Sequence, residues 1–148
     1  MHKLSEVGRI HLPSNFKEAL SNRGVSRLII VRDLDCLRVW PEDEWEKKEI
    51  QYQDLNLDDG KVSGYLRYLY SNLSDVEIDV QGRFVMAEGI KKEIDLKDQV
   101  FILGMGSLFE IWNPDYYNFK RRELSQEFSL NRNYVAEMLE KRKRDEGK

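Results

Sequence analysis

The sequence predicts a mainly β fold with added helices, α+β by content, in which two tandem copies of one small module interleave into a single barrel. Three observations carry that expectation. The chain has 148 residues, room for one domain or for two small modules that need a common core. Gly8-Arg9-Ile10-His11-Leu12-Pro13-Ser14-Asn15-Phe16-Lys17 is echoed by Gly82-Arg83-Phe84-Val85-Met86-Ala87-Glu88-Gly89-Ile90-Lys91 at an offset of 74, and the later elements of each copy keep the same order at an offset of 72. Such a repeat decides the architecture before any single motif does. Finally, each copy holds two short apolar runs separated by turn residues, the pattern of a hairpin too small to bury both of its faces alone.

In each copy a strand comes directly after the Gly-Arg pair. Ser14 or Glu88 then opens a short helix whose apolar positions are Phe16 and Leu20, or Ile90 and Ile94. The hairpin comes next. Leu28-Ile29-Ile30-Val31 is joined through Asp33-Leu34-Asp35 to Cys36-Leu37-Arg38-Val39-Trp40, and Val100-Phe101-Ile102-Leu103 through Gly104-Met105-Gly106-Ser107 to Leu108-Phe109-Glu110-Ile111-Trp112. Pro41-Glu42-Asp43-Glu44-Trp45 sets Pro and acidic residues at a helix start, and Asn113-Pro114-Asp115 echoes it. Val62, Leu66, Leu69 and Leu73, with Tyr65 beside them, have helical spacing, and residues 53–60 read as the loop before them. Leu124, Phe128, Tyr134, Val135, Met138 and Leu139 predict a last helix, with an interruption expected near Asn131 and fraying at the basic end. The expected division is therefore 1–45 for the first repeat, 46–75 for a helical linker, 76–118 for the second repeat and 119–148 for the C-terminal helix and basic tail.

Apolar residues make up 41% of the chain and charged ones 34%, enough to build a core and leave a solvated surface. No apolar run approaches the roughly 20 residues of a bilayer-spanning helix, and the start lacks a signal peptide's apolar stretch, so a cytoplasmic protein without membrane contact is expected. Cys36 is the single cysteine and, within an alternating strand pattern, reads as a small buried hydrophobe. The net charge of −3 argues by itself against a nucleic-acid partner, but the charge is segregated: +4 over residues 1–32, −7 over 33–60 and +3 over 119–148. The basic start can therefore face a phosphate backbone while the acidic middle faces away.

Enzymatic readings find no support. His2 and His11 are the only histidines, and there is no Cys pair, phosphate loop or His-Glu-x-x-His, so no catalytic residue, metal site or cofactor is expected. Trp40, Trp45 and Trp112, at strand ends and a helix start, read as core or subunit-contact residues. His11, alternating with Ile10 and Leu12, reads as solvent-facing.

Val76-Glu77-Ile78-Asp79-Val80-Gln81-Gly82-Arg83, with Val100-Phe101-Ile102-Leu103-Gly104 and Phe109-Glu110-Ile111-Trp112-Asn113, resembles the second repeat of the MraZ family of bacterial transcription regulators. Gly8-Arg9-Ile10-His11-Leu12-Pro13, with Cys36-Leu37-Arg38-Val39-Trp40-Pro41 and Trp45, resembles the first. The resemblance spans residues 4 to about 118. It implies two AbrB-like swapped-hairpin repeats forming one double-split β-barrel. It further implies a ring-shaped homo-oligomer, nucleoid association, and binding to short direct repeats in double-stranded DNA upstream of its own operon and the division and cell wall genes. The family's DNA-facing signature is Asp-x-x-x-Arg in each half. Asp79 and Arg83 carry it in the second half, whereas Ser5 precedes Arg9 in the first, Val7 and Gln81 stand where a lysine is common, and Ala87 stands opposite Pro13. The implied DNA-facing residues are Gly8, Arg9, Lys17, Gly82, Arg83 and Lys91, with Asp79 and Ser5 orienting the arginines. Chemically, Gly opens a turn conformation closed to bulky residues, Asp can hold a guanidinium by two hydrogen bonds, and Arg suits both phosphate and the guanine edge. Without the resemblance the same residues read as a structural ion pair at a β-turn, and Lys17 and Lys91 as a solvated helix face. A ring-forming interaction module that has lost DNA recognition is the alternative function. The basic runs Lys120-Arg121-Arg122 and Lys141-Arg142-Lys143-Arg144 suit phosphate attraction and helix ends equally.

Overall fold

In the computed structural model, which describes residues 1–147, the two copies exchange strands. The first copy runs β1 (His2–Lys3), β2 (Arg9–His11), α1 (Ser14–Asn22), β3 (Arg27–Arg32) and β4 (Leu37–Pro41). Two helices come next, α2 (Glu42–Gln53) and α3 (Gly60–Ser71). The second copy repeats the order as β5 (Ser74–Glu77), β6 (Arg83–Val85), α4 (Glu88–Glu93), β7 (Gln99–Met105) and β8 (Leu108–Trp112), before α5 (Pro114–Glu146). Six strands form an antiparallel sheet in the order β1-β7-β8-β4-β3-β5, and β2 pairs with β6 in a separate ribbon. The sheet order reads the same from both ends once each strand is exchanged for its counterpart in the other copy. Each copy's first strand adds to the other copy's hairpin: β1 pairs with β7, and β5 with β3. The chain therefore has the two-repeat, swapped-hairpin barrel that the sequence predicts.

Register locates the pseudo-two-fold axis relating the copies. In the ribbon Ile10 lies opposite Phe84, and in the sheet Arg38 lies opposite Glu110. Both are pairs of counterpart positions, so the axis crosses the ribbon at the first pair and the sheet at the second.

The main core lies between ribbon and sheet. Ile10 and Phe84, 0% and 1% exposed, point inward onto Leu28, Ile30, Val39, Val100, Phe109 and Ile111. Burial of side chains of this size stabilises by about 1.5–3 kcal/mol each, which seats the ribbon firmly although it is only three residues long on each side. A second cluster, Ile29, Val31, Trp45, Leu66 and Leu69 with Trp40 packed against it, lies where α2 and α3 cover the other face of β3. Because β3 is buried on both faces, its sequence is a continuous apolar run rather than an alternating one.

Two local expectations are corrected. Helix α1 does begin at Ser14 and α4 at Glu88, but the cap positions are Pro13 and Ala87, and neither helix has a side-chain cap. Ser14 is already inside the helical turn, where its hydroxyl is not placed to reach the free N–H groups. Helix α5 runs through Asn131 without interruption. Asparagine costs only about 0.7 kcal/mol relative to alanine in a helix, and residues 115–146 contain neither Gly nor Pro to break it. Asp59, by contrast, caps α3, its carboxylate accepting from the N–H groups of Lys61 and Val62. Residues up to Pro114 form one compact unit and residues from Asp115 a second. Among the described residues no helix is long and apolar enough to cross a membrane.

Candidate nucleic-acid interface

The ribbon has one buried and one exposed face, because successive strand residues alternate. Ile10 and Phe84 fill the first. Arg9, His11, Arg83 and Val85 share the second, with Arg9 opposite Val85 and His11 opposite Arg83. Antiparallel pairing thus brings together two arginines 74 positions apart.

Each arginine leaves a turn of the same construction. In the first, Gly8 N–H donates to the Ser5 carbonyl (2.9 Å) and Ser5 N–H to the Arg9 carbonyl (3.2 Å). In the second, Gly82 N–H donates to the Asp79 carbonyl (3.0 Å) and Asp79 N–H to the Arg83 carbonyl (2.8 Å). The closing glycines have φ of +84° and +76°, in the left-handed region that disfavours a side chain. Even the first residues act alike: the Ser5 hydroxyl and the Asp79 carboxylate each accept the backbone N–H of the arginine four positions on, both at 2.9 Å.

The turns differ at the guanidinium. Arg83 Nε donates to Asp79 Oδ2 at 2.7 Å, which sets the direction of the side chain before any ligand arrives. Asp79 is held below the usual carboxylate range, chiefly by the backbone N–H of Arg83, then by its guanidinium and by Gln81 N–H, against some desolvation. Arg9 is exposed, and no carboxylate among the described residues pairs with it. One acidic oxygen therefore separates a preset arginine from a free one.

The two helix lysines serve the opposite repeat. The stem of Lys17 lies over Gly82, where a Cβ would come within 2.6 Å of its Cδ, and the stem of Lys91 lies near Gly8. Lys17 is exposed. Lys91 is buried, its ammonium 2.9 Å from Glu88 and donating to the Glu6 carbonyl at 3.4 Å, so it braces the first turn from beneath. A groove of about 490 Å³ opens beside the first turn, lined by Lys3, Ser5, Arg9, His11, Arg83 and Asp98. Lys3 and His11 join this surface only through the pairing of β1 with β7 and β2 with β6. The one hint in the sequence was that His11 alternates with apolar neighbours.

A group with possible metal ligands lies elsewhere: Asp33, Cys36 and Glu110 bring their donor atoms within 4.8 Å of one another. Arg38 already occupies the carboxylates, 3.1 Å from Asp33 and 3.3 Å from Glu110, and the Trp112 indole donates to Glu110 at 3.0 Å. Burial first, and the neighbouring Glu110 and Asp33 next, push the Cys36 thiol far up, so it stays protonated. The cluster is a satisfied polar contact on the pseudo-two-fold axis.

Residues 1–67 match the family described as "MraZ protein, putative antitoxin-like". Over most of its length the chain is similar to proteins named Transcriptional regulator MraZ. It is 33% identical over 118 residues to that of Syntrophobacter fumaroxidans, covering 80% of this chain and 79% of that protein. It is 36% identical over 121 residues to that of Bordetella pertussis, with coverage of 81% and 82%. The match to that of Burkholderia cenocepacia is 32% over 120 residues, with coverage of 80% and 82%.

Proposed function

Because the chain belongs to the MraZ family, we propose that it is a transcriptional regulator that binds double-stranded DNA through the exposed face of the β2–β6 ribbon. It acts as a homo-oligomeric ring on direct repeats upstream of its own operon, and represses that operon with the division and cell wall genes. The observation that carries this reading is the pair of congruent Gly-Arg turns presenting Arg9 and Arg83 on one ribbon face. A two-stranded ribbon fits the width of a major groove, and an arginine held in a fixed direction can address the O6 and N7 edge of guanine. Lys17 and Lys3 are suited to the flanking phosphates, which position a protein without reading sequence. Lys91, together with Gly8 and Gly82, holds the turns in shape. Ser5 anchors the Arg9 backbone but not its guanidinium, so Arg9 contributes mainly charge. Single ribbons of this size bind weakly, and a ring that offers several to a row of repeats binds by avidity.

The test is a gel-shift titration on the upstream DNA at two salt concentrations. Arg83→Ala is expected to weaken specific binding by about 5- to 150-fold, the range for loss of a bidentate base contact. Arg9→Ala is expected to weaken it less and to lower the salt dependence. Both variants are expected to keep fold and assembly, since Arg9 is an exposed side chain without an ion pair among the described residues and the half-exposed Arg83–Asp79 pair at the surface contributes little to stability. Wild-type affinity in the Arg83 variant removes this site. An intact oligomer that does not bind the DNA even at low salt instead supports a protein-interaction module, the reading favoured by neutral Ser5, Val7 and Gln81.

A further inference from the structure

Helix α5 has 33 residues and none of them is buried. At 1.5 Å per residue it is about 50 Å long, and a helix gains most of its stability from packing an apolar face. It has such a face. Leu124, Phe128, Val135 and Met138 are all 40% or more exposed. With Asn131 and Arg142 they succeed one another at steps of four, three, four, three and four. That is the spacing of a seam repeating every seven residues, with Phe128, Val135 and Arg142 at its a positions and Leu124, Asn131 and Met138 at d.

The flanking residues identify the occupant. In a parallel two-stranded coiled coil, the residue just before each a position meets the partner residue five places further on. Here Glu127 would meet Arg132 of the second helix and Tyr134 would meet Leu139, whereas Glu146, five places after Lys141, already pairs with Arg142 of its own chain at 3.1 Å. Each match is opposite in charge or apolar on both sides. Neither Glu127 nor Arg132 has an ion-pair partner among the described residues of its own chain, so both remain available. A lipid surface is a poor fit, because Glu123, Glu127, Glu137 and Glu140 are spread among the basic residues. We propose that α5 pairs with α5 of a second copy of this chain as a parallel, in-register coiled coil over residues 124–142. Asn131 meets its own copy inside the seam and holds the register at a cost in stability, and Arg142, which would meet its own like-charged copy at the next a position, marks where the seam ends. This contact is independent of the ribbon, and it stands or falls whether or not the protein binds DNA.

Disulfide trapping in the full-length protein tests it. Val135→Cys is expected to form a disulfide-linked dimer under mild oxidation at micromolar concentration. Asn133→Cys, on the outer face of the same helix, is expected to remain unlinked. Glu127→Arg in the Val135→Cys background should weaken association by on the order of tenfold, by replacing two attractive contacts with two repulsive ones. Adding Arg132→Glu should restore it. Equal trapping at positions 133 and 135, or trapping only between a Leu124→Cys chain and a Met138→Cys chain as in an antiparallel pair, overturns the proposal. Failure of the charge reversal to restore trapping overturns the pairing that selects the second copy.

Discussion

Replacing either turn glycine by alanine tests how the two halves of the interface are built. Alanine in the left-handed region costs about 1–2 kcal/mol wherever it occurs, so Gly8→Ala and Gly82→Ala share that loss. Their surroundings then separate them. A Cβ at Gly8 would stand 2.4 Å from the Met86 carbonyl oxygen, whereas the three atoms nearest one at Gly82 all belong to the stem of Lys17, the first at 2.6 Å. The lysine can swing away into solvent. The Met86 backbone cannot, because its N–H donates to the Gly8 carbonyl at 2.8 Å and its side chain is buried in the core. Overpacking against a fixed neighbour costs typically about 1–3 kcal/mol more. The expected losses are therefore about 3 kcal/mol for Gly8→Ala and about 1.5 kcal/mol for Gly82→Ala. At about 3 °C per kcal/mol for a chain of this size, the melting temperature falls by about 9 °C and about 4 °C. Circular dichroism melts of the two variants at matched concentration decide it. Equal losses, or a larger loss at Gly82, would refute the claim that the first turn is packed against backbone and the second against a mobile side chain.

Three further outcomes are expected. Cys36 should ignore a thiol reagent at neutral pH in the folded protein and react only on unfolding, since burial both blocks access and keeps the thiol protonated; rapid labelling of the native chain would contradict this. Asp79 should titrate below the ordinary aspartate range, so its contribution to the second turn is fully present above the unfolded-state pKa and lost only as pH falls through the depressed folded value. In Arg83→Ala its NMR midpoint should rise only part of the way, because the main cause, the backbone N–H of residue 83, survives; a return to the unfolded value would assign the whole effect to the guanidinium. Glu110→Arg, which makes the axis pair like-charged as in two identical copies, should destabilise by about 2 kcal/mol or more in urea unfolding, with Glu110→Gln milder. A neutral Glu110→Arg would show that the pair does not hold the central register.

Much of the site could be read from the chain alone, because its signals are local. Gly before Arg marks a turn whose backbone excludes a side chain, and Asp79 at a distance of four marks the partner that the same turn folds back onto Arg83. The two hairpins could be read in the same way, since short runs of β-branched and aromatic residues around turn residues need only their neighbours to pair. The interruption expected at Asn131 failed because a weak helix former does not outweigh the uninterrupted good ones around it.

The repeat in the sequence determined that there are two equivalent halves, where each turn lies, and which arginines they present. It did not determine which strand pairs with which. The short strands β1 and β5 have no pattern of their own, and they form only because the other copy's hairpin offers an unpaired edge. That exchange depends on a shared core, in which Ile10 and Phe84 must meet beneath the ribbon, and such contacts are invisible to local spacing. The same tertiary pairing sets His11 beside Arg83, buries Lys91 while leaving its counterpart Lys17 in solvent, and places Arg38 against Glu110 on the axis. Sequence determined the parts because backbone conformation is a short-range property, and the tertiary structure decided their combination because burial is a long-range one.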